Sequence, residues 1–233
     1  QRASDLQWIF TNKQIPHIDN QHVLESFFGF IETLGIQERI LKWDIPLSDS
    51  LHKQVNSLLP EPPYIVISPC SSMAYRNWTI EGYAAVADYI SEKYQRPVVL
   101  SGGPSATEKE YGEKISARCQ HPPINLIGKT SLKELLAVID SAELLIAPDS
   151  GPAHMATAVN TPVIGLYACT NPDRARPYLS GEYVVNRYPE AVQAKYGKTV
   201  ADIPWGSRVR DPGTMARITS AEVEAMLDHL LKK

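Results

Sequence analysis

The chain has 233 residues, 43% of them apolar and 21% charged, with a formal net charge of −3. That is ample for one large core and part of a second, and the slight acidity excludes the basic footprint of a nucleic-acid-binding protein. Cys70, Cys119 and Cys169 are odd in number and form no CxxC pair, which argues against a disulfide framework or zinc site and for a reducing cytoplasm.

No run approaches the ~18 apolar residues of a membrane span, so any membrane contact is expected to be peripheral. The opening QRASDLQW is not a signal peptide, and the start at Gln1 rather than methionine is expected to be a boundary within a longer protein. Residues 1–58 do not read as a complete domain. A helix over about Gln21 to Leu34 carries Val23, Phe27, Phe30, Ile31 and Leu34 on one stripe and stops at Gly35. Such a stripe needs a partner surface, either the domain that follows or a preceding one. Leu47 to Pro63 reads as a short helix followed by a linker.

From Tyr64 onward strands and helices alternate. Strands are predicted at Tyr64–Ser68, Pro97–Ser101, Ile124–Ile127, Leu144–Ala147, Val163–Tyr167 and Tyr183–Val185. The helices between them are amphipathic, with Ile80, Tyr83, Ala84, Ala87 and Ile90 on one face and Leu132, Leu135, Leu136 and Ile139 on another. Ser131 with Glu134 and Thr219 with Glu222 form capping boxes. This pattern predicts an α/β, Rossmann-like, doubly wound parallel sheet over residues 59–185. Residues 186–216 read as mostly irregular, with several basic side chains (Arg187, Lys195, Lys198, Arg208, Arg210) that are either solvated or face an anionic partner, and a terminal helix follows at about Ser220–Leu231.

Ligands of such sheets bind beyond the carboxyl ends of the strands. The key corner is PDSGPAHMATA, Pro148 to Ala158: a buried strand breaks at Asp149, and a helix starts with Pro152 in its first turn and Ser150 or Gly151 as cap. Free amides and the helix dipole there attract phosphate, and His154 adds a donor. Ser71, Ser72 and Arg76 follow the first strand and would complete a diphosphate site. Gly102 and Gly103 permit a close backbone approach or a tight turn, and Glu108 either meets ribose hydroxyls or is a helical surface residue. Repulsion from a diphosphate would turn Asp149 toward sugar hydroxyls or toward Arg76. G-x-G-x-x-G after the first strand and a P-loop are both missing, the six histidines lack ligand spacing, and Ser150 lacks the G-x-S-x-G elbow, so dehydrogenase, P-loop, metal and serine-hydrolase chemistries find no support.

These residues resemble glycosyltransferase family 9, the ADP-heptose:lipopolysaccharide heptosyltransferases. The resemblance rests on PDSGPAHMATA, on TPVIGLYACTNPDRARPY (Thr161 to Tyr178), on SPCSSMAYRNW (Ser68 to Trp78) and on GKTSLKELLAVIDSAELLIAPDSG (Gly128 to Gly151). It implies a GT-B architecture of two Rossmann-like domains, this chain being the C-terminal, nucleotide-sugar-binding one with the tail of the N-terminal domain and a linker in residues 1–58. It implies an inverting transfer without metal or other cofactor, with the nucleotide sugar ADP-heptose as donor substrate and a lipopolysaccharide core or other glycan as acceptor, and with peripheral inner-membrane contact. Ser71, Ser72, Arg76, Ser150, Gly151 and His154 would hold the diphosphate, Asp149 the sugar, and Gly102, Glu108 and Thr130 the nucleoside. Arg76 stands where the family often carries lysine, which keeps the charge but changes the hydrogen-bond geometry. The catalytic aspartate base belongs to the N-terminal domain, so the isolated chain is expected to bind nucleotide without transferring sugar. The alternatives are another GT-B enzyme, such as a non-hydrolysing sugar-nucleotide epimerase, or a non-catalytic nucleotide-binding module.

Overall fold

The computed structural model describes residues 6, 9–12 and 14–232, so the reading of the first five residues lies outside the described ones. Two helices, α1 (Val23–Thr33) and α2 (Asp49–Asn56), precede an alternating βα region. That region runs β1 (Ile65–Ile67), α3 (Ile80–Tyr89), β2 (Val98–Leu100), α4 (Ala106–Arg118), β3 (Ile124–Asn125) and α5 (Leu132–Asp140). It continues with β4 (Leu144–Pro148), α6 (Gly151–Ala158), β5 (Val163–Tyr167), α7 (Pro172–Ala175), β6 (Val184–Asn186), α8 (Tyr188–Tyr196) and α9 (Ser220–Leu231).

All six strands are parallel, in the order β3-β2-β1-β4-β5-β6. The strand order reverses between β1 and β4, where Ile67 lies opposite Ile146, and a crevice opens where connections leave in opposite directions. Successive side chains of β1 alternate between two apolar layers. Ile65 and Ile67 join Trp78, Tyr83, Ile115 and Leu227 on the face covered by α3, α4 and α9. Val66 joins Leu135, Leu145, Ala156 and Val163 on the face covered by α5 and α6. Strands buried on both faces explain the near-continuous Val, Ile and Leu runs by which they were predicted. Both predicted capping boxes form, Ser131 with Glu134 on α5 and Thr219 with Glu222 on α9.

Two expectations are sharpened. Within the otherwise largely irregular stretch after β6, α8 forms, ends at Gly197 in the left-handed conformation, and buries Tyr188, Ala191 and Val192 against Val209. Its apolar face is too narrow to stand out by periodicity. Of the two surfaces expected to cover the α1 stripe, the domain that follows does not, and the phenylalanines remain largely uncovered, with Phe27 60% and Phe30 56% exposed. The helix is instead tied down through its polar start: His22 Nε2–H donates to the Arg176 carbonyl at 2.9 Å, Tyr178 bonds Glu25, and Trp205 donates to the Gln21 carbonyl at 3.0 Å. By contrast, α2 inserts Val55 into the second apolar layer beside α5.

Among the described residues no helix is long and apolar enough to cross a membrane.

Candidate functional site

The crevice is built from loops that the sheet presents on one edge. At its centre β4 ends in Pro148, and the buried Asp149 and Ser150 lead into α6. Ser150 is the N-cap in extended conformation, but its hydroxyl makes no capping bond and is buried without a partner among the described residues. With Pro152 in the first turn and open space where a Gly151 side chain would stand, the helix end offers unobstructed amides. His154 is exposed in that first turn, and the packed surroundings lower its pKa below 6.5 against an opposing pull from Asp149.

A short turn after β1, Ala74–Arg76, carries Arg76 across to this corner. Its Nη1 donates to the Asp149 carbonyl at 3.2 Å and lies 3.3 Å from Asp149 Oδ2, with both side chains largely shielded from solvent. Of the two orientations open to Asp149 in the sequence, the structure therefore shows the pairing with Arg76. Arg76 Nε is buried and unpartnered among the described residues, a donor still in want of an acceptor. The serines beside it are arranged differently. Ser71 donates its backbone N–H to Asn77 Oδ1 at 2.8 Å, while Ser72 is exposed.

The other side of the crevice is formed by the loops after β2 and β3. They are joined by a hydrogen bond from Gly128 N–H to the Gly102 carbonyl at 3.0 Å, with Gly128 in the left-handed conformation and Thr130 half-buried just beyond it. The two readings of Glu108 are both incomplete, because its carboxylate braces its own loop: it accepts from Gly103 N–H, and from Ser105 Oγ at 3.2 Å. A Cβ on Gly102 would stand 2.7 Å from Glu108 Oε2, so this glycine makes room for that brace. Burial, reinforced by Glu108, pushes the neighbouring Cys70 thiol up to about 12, which favours its protonated form. No group of three His, Cys, Asp or Glu side chains that could hold a metal occurs among the described residues.

One part of the crevice was not anticipated. A polar pocket of about 210 Å³ lies beside the Arg76–Asp149 pair, and Asn171, Arg174 and Arg208 line it. Asn171 and Arg174 come from the β5 connection, whereas Arg208 arrives from the tail through an antiparallel bridge to Thr170. The only sequence signal was the presence of basic residues in the tail, since a pairing between positions 38 apart (208 − 170) leaves no local pattern.

The family described as "Glycosyltransferase family 9 (heptosyltransferase)" matches residues 1–202. The chain is 38% identical over 232 residues to the lipopolysaccharide core heptosyltransferase OpsX of Haemophilus influenzae, covering 99% of this chain and 66% of that protein. Among solved structures it resembles a family 9 glycosyl transferase from Veillonella parvula, with a TM-score of 0.74 at 20% identity over 93% of this chain and 62% of the other. It also resembles the Escherichia coli heptosyltransferase WaaC with ADP, with a TM-score of 0.62 at 16% identity over 95% of this chain and 61% of the other. The chain thus spans less than two thirds of the length of each of these proteins.

Proposed function

Because the chain belongs to glycosyltransferase family 9, we propose that it is the donor-binding part of an inverting heptosyltransferase acting on a lipopolysaccharide core. The donor is ADP-heptose. The observation that carries this reading is the Arg76–Asp149 pair at the switch point of the sheet, beside a helix end with open amides. A leaving diphosphate seated there meets a guanidinium, the α6 amides, Ser71, Ser72, Ser150, Gly151 and His154. Each adds hydrogen bonds or positive potential where negative charge develops as the anomeric C–O bond breaks. Asp149 holds sugar hydroxyls with the lone pairs that Arg76 leaves, and Gly102, Glu108 and Thr130 border the nucleoside.

In a single displacement the acceptor hydroxyl oxygen bonds to the anomeric carbon as the diphosphate departs with the bonding pair. The acceptor proton passes to an aspartate base of the family's N-terminal domain. Residues 1–58 supply the tail of that domain and the linker, residues 59–185 the donor domain, and residues 186–233 the tail and closing helix. No residue of this chain is assigned as base, so the purified chain binds nucleotide and transfers no sugar. The three free cysteines support a cytoplasmic setting, with peripheral contact to the inner membrane where the acceptor lies.

Calorimetric titration with ADP, UDP and GDP tests the donor assignment. ADP is expected to bind most tightly, with a loss of about tenfold or more in Arg76→Ala and His154→Ala. Equal affinity for all three nucleotides, or unchanged affinity in both variants, refutes it. Heptose transfer by this chain alone refutes the division of labour.

A further inference from the structure

Tyr75 precedes Arg76 in the short turn after β1 and is half-buried against the first apolar layer. Two guanidinium groups use its ring. That of Arg76 lies 5.7 Å from the ring centroid and that of Arg210 5.6 Å, both within the range of a cation–π contact. The end of β5 brings the turn and the tail together: Cys169 Sγ–H donates to the Tyr75 carbonyl at 3.0 Å, the Cys169 carbonyl accepts from Val209 N–H at 2.9 Å, and Thr170 bridges to Arg208. The Tyr75 hydroxyl takes no part, since its oxygen is buried with no hydrogen-bond partner among the described residues. A buried hydroxyl left unpaired costs stability, so what Tyr75 contributes at this place comes from its aromatic face.

Both contacts of Arg76 with Asp149 are made by Nη1, and Arg76 Nε is buried without an acceptor among the described residues. A guanidinium anchored at one corner can pivot about it, which would leave its remaining donors without a fixed direction. The ring removes that freedom and uses up no N–H, because its face attracts the delocalised charge rather than a single proton. We propose that Tyr75 is a positioning residue of the donor site: its ring, engaged from the tail by Arg210, fixes the Arg76 guanidinium so that the unpaired donors meet the leaving diphosphate. The part in nucleotide binding rests on the donor reading. The hold on Arg76 does not.

Calorimetric titration of the full chain with ADP compares Tyr75→Phe, which keeps the ring, with Tyr75→Leu, which keeps only apolar bulk. Tyr75→Leu is expected to lose about fivefold or more in affinity and Tyr75→Phe to stay within about twofold of the unaltered chain. On an Arg76→Ala background Tyr75→Leu is expected to cost nothing further, because its effect passes through the guanidinium. Without nucleotide, the Arg76 Nε–H signal, assigned by nuclear magnetic resonance from its loss in Arg76→Lys, is expected to hold its position in Tyr75→Phe and to move in Tyr75→Leu. Should Tyr75→Leu fail to fold, Tyr75→Met gives the same comparison with a more adaptable side chain. Unchanged affinity in Tyr75→Leu, equal losses in Tyr75→Phe and Tyr75→Leu, a further loss on the Arg76→Ala background, or an Arg76 signal indifferent to the ring each overturns the proposal. If the unaltered chain binds no ADP, the donor reading falls, and the Arg76 signal decides whether Tyr75 holds the guanidinium.

Discussion

Arg76 and Asp149, 73 positions apart, meet at the reversal of the strand order, where Arg76 Nη1 contacts both the carbonyl and the carboxylate of Asp149. The pair is shielded from water, so each member holds the other's charge in place before any ligand arrives. A second consequence is that removing one member leaves a largely buried charge without its partner.

Arg76→Ala is therefore expected to act on folding as well as binding. Loss of a charge-assisted bond with its partner left shielded costs about 1.5–3 kcal/mol, and chemical denaturation should show it as a lower midpoint. Arg76→Lys keeps the charge but reaches only one of the two Asp149 oxygens, so it should recover part of the ADP affinity and part of the stability. Full recovery by lysine would show that the two-point contact is dispensable.

The wall behind this pair depends on Trp78. Its indole is buried, donates to the Ile218 carbonyl at 3.0 Å, and packs edge-on to Tyr83 with ring centroids 5.0 Å apart. A Cβ at Gly82 would run into the Trp78 ring. Gly82→Ala should thus destabilise the fold by about 1–3 kcal/mol through overpacking, and by displacing the loop that carries Arg76 it should also weaken ADP binding. A thermal midpoint equal to that of the unaltered chain would refute this.

Histidines set an acid limit. Burial holds the pKa of His22 below the ordinary 6.5, and its ring is committed at both nitrogens: Nδ1 accepts from Leu24 N–H and Nε2–H donates to the Arg176 carbonyl. His154 is shifted in the same direction. Unfolding frees rings that take up protons at 6.5, so the unfolded state binds more protons once the pH falls toward that value. The corresponding stability is present above 6.5 and is lost as the pH falls through the lowered folded-state values. Melting temperature should decline from about pH 7 to about pH 5, and His22→Asn, which keeps an N-cap acceptor, should flatten the decline. An unchanged slope in both His22→Asn and His154→Asn would exclude this origin.

Thr219 and Glu222 cap α9, and Glu222 also pairs with Arg187 at 2.6 Å. Thr219→Ala should cost about 0.5–2 kcal/mol with ADP affinity unaffected, because the capping bonds it removes are made within the first turn of α9 itself. A parallel loss of ADP binding would contradict this.

The sequence by itself determined the parallel sheet, both capping boxes and the β4–α6 corner. Each depends on neighbours within a few positions: apolar runs for strands buried on both faces, Ser or Thr three residues before Glu for the boxes, and Pro152 after a small residue for the helix start. It also singled out Arg76 and Asp149, though it left Asp149 with two orientations. Only the tertiary structure decided between them, by bringing a turn after β1 against the end of β4. Likewise, only the fold showed that Glu108 braces its own loop, that Phe27 and Phe30 stay exposed, and that Arg208 reaches the pocket by pairing beside Thr170. These are contacts between distant or competing partners, and their outcome depends on which side chain arrives at the required distance with its hydrogen bonds still unmade.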